Sequence, residues 1–184
     1  MSLNEMEIGL LIGGGVLLII LFFVARYLWK TYNLLVLNNI RVDRQSAHVE
    51  VHLKKKFDMI PVIVETVKGY AKHEKGTFKE VTKLRSQWGK SSNPEDKVKT
   101  ANMLESALSK LLVVQERYPR LKADRNFMNL QRSIGYVEKE LVHERKVYNR
   151  RVSWYNESVQ LFPKNLIAKM FGFKVRKFFS IEEK

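Results

Sequence analysis

From Ile8 to Ala25 the chain carries eighteen consecutive uncharged residues, most of them Leu, Ile, Val and Phe. Wound as a helix at about 1.5 Å per residue they reach about 27 Å, close to the thickness of a bilayer's hydrocarbon core. Tyr27 and Trp29 follow as interfacial aromatics, and Arg26 and Lys30 are placed to snorkel towards headgroups. The segment has no polar face, which argues against a core helix half-covered by a soluble domain. It also lacks the marks of a secretory leader. Met1–Glu7 holds two acids and no cation, the apolar run is long, and Phe23-Val24-Ala25 is no small-x-small cleavage site. The expectation is one transmembrane helix over residues 8–29, preceded by a short extracytoplasmic N-terminus, residues 1–7.

The cations that flank a membrane span tend to remain cytoplasmic. None precedes this one, whereas Arg26, Lys30, Arg41 and Arg44 follow it. This predicts an inner-membrane, single-pass topology with the N-terminus outside and the remaining chain in the cytoplasm. All 33 Lys and Arg lie after Ala25 against 17 of the 19 acids, so that remainder carries 33 − 17 = +16. Such a field draws polyanions, and beside a bilayer the nearest are anionic lipid headgroups. The chain has no cysteine, which removes disulfide-stapled scaffolds and thiol nucleophiles alike.

Beyond the apolar segment, rows of apolar residues at spacings of three and four predict helices throughout. Nothing between Trp29 and Met59 breaks a helix, so the membrane helix is expected to continue into the first helix of a bundle, with a row Leu37, Ile40, Ala47, Val51 flanked by Leu34, Leu53 and Phe57. A stiff connection of that kind sets height and tilt above a bilayer, which a flexible linker does not. Pro61 predicts a kink or a fresh start. A second row runs Ile63, Val67, Tyr70, Phe78, Val81, Leu84, Trp88, with Gly69 and Gly76 as weak points. Gly89 reads as a stop, and Asn93-Pro94-Glu95-Asp96 as a cap and first turn. Val98, Ala101, Leu104, Leu108, Leu111 and Gln115 form the third row, ending before Tyr118-Pro119. Asp124 is placed to cap the fourth and longest, from Phe127 to Phe162 and broken only by Glu144. The fold class is all-α: one N-terminal transmembrane helix continuing into an antiparallel bundle of about four long helices over residues 30–163. Residues 164–184 read as a basic, aromatic segment that packs on the bundle or on the membrane.

Catalytic signatures are missing. His48 and His52 share a helical face, but no third ligand is identifiable. Lys72-His73-Glu74-Lys75 lacks the second histidine of a zincin, and His143-Glu144-Arg145 reads as a polar contact within a bundle. Gly13-Gly14-Gly15 lies inside the apolar span, so it is no phosphate loop; Gly9-x-x-x-Gly13 is a helix-pairing cue that motivates homo-oligomerisation. Lys54-Lys55-Lys56, Arg150-Arg151 and the Lys174–Phe179 stretch offer cations without any nucleic-acid reading module. No catalytic residue, cofactor or metal is expected, and no nucleic-acid partner. Tyr32-Asn33, Tyr148-Asn149 and Tyr155-Asn156 recur, the last two one heptad apart, which predicts a hydrogen-bonded Tyr/Asn cluster.

Five stretches in order resemble the LemA family: Tyr32–Ile40 (YNLLVLNNI), Phe57–Arg85, Tyr118–Gln131 (YPRLKADRNFMNLQ), Tyr148–Pro163 (YNRRVSWYNESVQLFP) and Phe171–Phe173 (FGF). The resemblance covers roughly residues 27–184 and implies a membrane-tethered bundle of long antiparallel helices in bacteria. It departs at Val62, where the family usually has Asn, and around Ser46, where a Trp-Ser pair is common. It implies no enzymatic activity. The combined expectation is a non-enzymatic scaffold or adaptor for unidentified protein partners or anionic lipid. The alternatives are an enzyme or sensor with an interhelical pocket, and a tethered nucleic-acid binder.

Overall fold

The computed structural model describes residues 5–92 and 94–179. Among them every regular element is helical. Helix α1 spans Glu5–Asp58, 54 residues, so the apolar segment and the polar sequence after it belong to one helix. Next come α2 (Ile60–Tyr70), α3 (Lys75–Lys90) and α4 (Pro94–Val113), then a 3-10 turn over Val114–Arg117. The chain continues through α5 (Pro119–Lys122), α6 (Arg125–Gln160) and α7 (Lys164–Met170). Residues 173–179 have no regular secondary structure.

The breaks follow local chemistry. Pro61 sits in the first turn of α2, where a missing N–H costs nothing, and Met59 alone separates α2 from α1. The second predicted row is divided between α2 and α3 by a turn at 71–74, between Gly69 and Gly76. Asp124 caps α6 as expected, its Oδ1 accepting the Phe127 N–H at 2.9 Å. The capping predicted for Asn93 falls outside the described residues.

The chain divides into two compact units, Ala47–Arg145 and Met1–Ser46 with Lys146–Lys184. In the first, ion pairs fix helix directions. Glu50 and Lys56 of α1 meet Lys97 and Glu105 of α4, so those two run parallel, while Glu80 and Trp88 of α3 meet Lys110 and Lys97, so α3 and α4 run antiparallel. The core is apolar, with Leu104, Leu108, Leu111, Ile63, Phe127 and Ile134 nearly inaccessible. Phe57 and Trp88 meet edge to face at 5.0 Å.

The second unit has a smaller core, in which Leu35, Ile167 and Ala168 are buried against Val159 and Phe173. The chain reaches it by a reversal after α7. Gly172 has φ of +73°, a left-handed conformation that glycine adopts without a Cβ clash. Its N–H donates to the Lys169 carbonyl at 3.2 Å, and the Phe173 N–H donates to Ala168 at 2.9 Å. This paired closure sends the strand back along α6.

One register reading is corrected. Along α1 the buried row is Leu35, Val42 and Val49, continued by Leu53 and Phe57, which were expected beside the row, whereas Leu37, Ile40, Ala47 and Val51 are exposed. Both sets have helical spacing, and only the position of the neighbouring helices selects between them.

Candidate functional site

Two polar constellations stand out, one in each unit. The first occupies the buried register of α1. Leu35, Val42 and Val49 repeat every seven residues, and the next position in that series is Lys56, only 5% exposed. Its ammonium lies 3.2 Å from Glu105 of α4 and 3.2 Å from Glu138 of α6. Glu105 also receives Arg145 of α6 at 3.1 Å. Four charged groups thus alternate in sign along a chain that starts half-exposed at Glu138 and ends nearly enclosed at Arg145. Buried charges of this kind are tolerable only when paired. Lys56 belongs to the Lys54–Lys56 run of cations, and the fold withdraws its head from solvent, because its position in the buried register of α1 faces two carboxylates. Glu105 carried no mark in the sequence. The heptad continuation from Val49 to Lys56 was the available signal.

The second constellation is a clamp on the C-terminal strand. Asn156 donates from Nδ2 to the Arg176 carbonyl at 2.9 Å, and the Arg176 N–H donates back to Oδ1 at 2.8 Å. Asn149, one heptad earlier, repeats the arrangement on Phe179, with both bonds at 2.9 Å. Between them Tyr148 donates its hydroxyl to the Lys177 carbonyl at 3.2 Å. The Tyr148 ring meets Phe179 at 4.7 Å, and burial pushes the phenols of Tyr148 and Tyr155 above their usual range. The Arg176 guanidinium is held by Asp43 at 2.6 Å and by Asn39 at 3.0 Å, both on α1. The Tyr32 ring meets Phe171 at 4.7 Å in a tilted contact and Phe173 edge to face at 6.0 Å. Of the recurring Tyr-Asn pairs, Tyr32, Tyr148, Asn149 and Asn156 therefore bind the segment's backbone and rings, while Tyr155 is buried and Asn33 is exposed.

The remaining sequence candidates are dispersed. His48 is exposed, and His52 encloses its Nδ1 without a hydrogen-bond partner. His73 lies in the exposed turn before α3, while Glu74 pairs with Arg117 at 2.9 Å. Among the described residues no three His, Asp or Glu side chains converge as a metal site. At the start of α6, Tyr70 donates to Asp124 at 2.8 Å. The Phe127 N–H first, and this hydroxyl second, hold the Asp124 carboxyl below the usual carboxylate range. On one face of α2 and α3 lies an open groove of about 530 Å³, with Lys68, Lys75, Lys79 and Lys83 around Phe78 and Thr82.

These features define an all-α protein with one N-terminal helix long and apolar enough to cross a membrane, none of whose apolar window is buried by the fold. The LemA family model matches residues 45–184, and the chain belongs to the LemA family. The matched range begins after Tyr32–Ile40, the first of the stretches that carry the resemblance. Magnetosome protein MamQ 1 and Magnetosome protein MamQ 2 of Paramagnetospirillum magneticum are each 30% identical to it over 74 residues. The aligned part is 40% of this chain and 27% of each relative, so the match spans about a quarter of the length of these curated proteins.

Proposed function

We propose that this chain is a membrane-anchored, non-enzymatic interaction protein whose helical domain is presented to partners in the cytoplasm. The observation that carries the reading is the continuity of α1. Its residues 8–25 are exposed and apolar on every side, whereas Leu35, Val42 and Val49 on the same helix are buried by protein. Exposed apolar area of that extent calls for lipid or another protein to cover it. In this reading residues 1–7 lie outside, 8–29 cross the bilayer, 30–163 form the helical domain and 164–184 complete it. Membrane family company and the charge asymmetry around the span support the same arrangement.

The +16 charge beyond Ala25 and the four-lysine groove favour acidic partners, anionic headgroups first among them. The absence of cysteine offers a clean test of topology. Single cysteines at Ser2, outside the described residues, and at Ser86, exposed on α3, are exposed in turn to a membrane-impermeant maleimide in intact cells. Labelling at 2 alone is expected. Labelling at 86 alone would overturn the cytoplasmic assignment, and extraction of the chain by alkaline carbonate would overturn the anchor itself.

A further inference from the structure

The clamp on residues 173–179 has the chemistry of a peptide-binding groove. Its two asparagines each take one residue's N–H and C=O together, so they read main chain and are indifferent to the side chain carried there. Their heptad spacing along α6 is about 10.5 Å, and three residues of extended chain cover about 9–10 Å. An extended segment laid antiparallel to α6 therefore meets an asparagine at every third residue, at Arg176 and at Phe179, and Phe173 lies three residues before. The side chains of Phe173 and Arg176 meet Tyr32 and Asp43 with Asn39, all on α1, and that of Phe179 meets Tyr148 on α6. The apolar side chains between them, Val175 and Phe178, are 53% and 57% exposed. A segment held largely by its backbone and by these side chains, with Val175 and Phe178 left in water, is replaceable by another of the same pattern.

We propose that this groove binds an extended segment of a partner protein with the pattern aromatic-x-x-Arg-x-x-aromatic, and that residues 173–179 are its resident competitor. The inference rests on the reading of the chain as an interaction protein and names the kind of segment it takes. Selectivity comes from the carboxylate of Asp43, which accepts a guanidinium in a protein that otherwise repels cations. The Asn clamps contribute affinity without sequence preference, as sheet-edge pairing does. While the resident strand is in place, a ligand meets only the fraction of molecules that have released it, and its apparent affinity falls by that fraction.

The test uses the full chain in mild detergent and a fluorescent synthetic peptide, FGFKVRKFF, identical to residues 171–179. Wild type is expected to bind weakly and Arg176→Glu at least tenfold more tightly, because the resident strand has lost its anchor to Asp43. Binding is expected to vanish when Asn149→Ala and Asn156→Ala are added to Arg176→Glu, and when the peptide's own Arg is replaced by Glu. Far-UV circular dichroism checks folding, and Phe179→Ala serves as a second released variant should Arg176→Glu misfold. No saturable binding to either folded variant would make the strand a fixed strap and overturn the proposal. Binding that ignores the asparagines would likewise overturn it. A wild-type dimer that dissociates on Asn149→Ala/Asn156→Ala would give the groove to a second copy's tail and overturn the partner assignment. Peptide binding in detergent does not depend on topology, so failure here and failure of the membrane reading are separable.

Discussion

The two polar constellations solve the same problem with opposite chemistry. Around Lys56, formal charges are taken out of water and neutralised by one another within the packed core of residues 47–145. Around Asn149 and Asn156, neutral amides satisfy a strand that stays largely in contact with solvent. The difference lies in what happens when a member is lost. Removing one ion from a buried set strands its partner at full desolvation cost, whereas releasing a half-exposed strand lets water replace each hydrogen bond. The first arrangement fixes a register; the second can open and close.

The largest effect that separates them is expected at Lys56. Lys56→Ala leaves Glu105 with Arg145 alone and creates a cavity, and should cost about 2–4 kcal/mol of unfolding free energy by denaturant titration. Glu138 is half-exposed, so it contributes the smaller part. A loss under about 1 kcal/mol would mean that solvent already reaches the ladder and would erase the contrast. Next, Asn149→Ala removes two hydrogen bonds from the strand and should cost about 1–2 kcal/mol. Hydrogen exchange should show faster exchange confined to residues 173–179, while the amides around Lys56 keep their protection. Global acceleration would show that the strand and the core unfold as one.

Proton linkage sharpens the comparison from another side. Burial raises the Tyr148 and Tyr155 phenols, so their contribution is complete below the ordinary tyrosine pKa of about 10. It is lost as pH rises through their higher folded values, because the unfolded chain ionises first. Stability should therefore fall above about pH 10, and Tyr148→Phe should shallow that fall. Asp124 behaves in reverse. Its folded pKa is lowered, so its contribution is present above the ordinary carboxylate pKa of about 3.9 and is lost as pH drops through the lower folded value. Asp124→Asn keeps a capping oxygen and should remove that acid limb with little change at neutral pH. The smallest effect is expected at the exposed Lys54–Asp58 pair, where Lys54→Ala should change stability by about 0.5 kcal/mol or less.

The elements themselves were legible because their signals are local. Eighteen uncharged residues, Pro61, the two glycines around the 71–74 turn and the Asp124 cap each act within one or two turns of helix. A 36-residue fourth helix was expected from Phe127, and α6 has 36 residues from Arg125. Tyr148-Asn149 and Tyr155-Asn156 were visible as a repeated pair one heptad apart, which is why the clamp could be half anticipated. Its object could not be, since an amide that bonds a backbone leaves no preferred residue type on the other side.

What the sequence by itself determined is therefore the helical class, the apolar N-terminal segment, the excess of positive charge and the family's motifs. Each is a property of neighbours along the chain or of a simple sum over it. The tertiary structure alone decided which of two apolar rows on α1 is buried, that Lys56 meets Glu105 49 residues away, and that Arg176 reaches back 133 residues to Asp43. Those pairings depend on where helices end and at what angle the chain returns. A reversal at one left-handed glycine, Gly172, sets the last of them, and no periodicity encodes its direction.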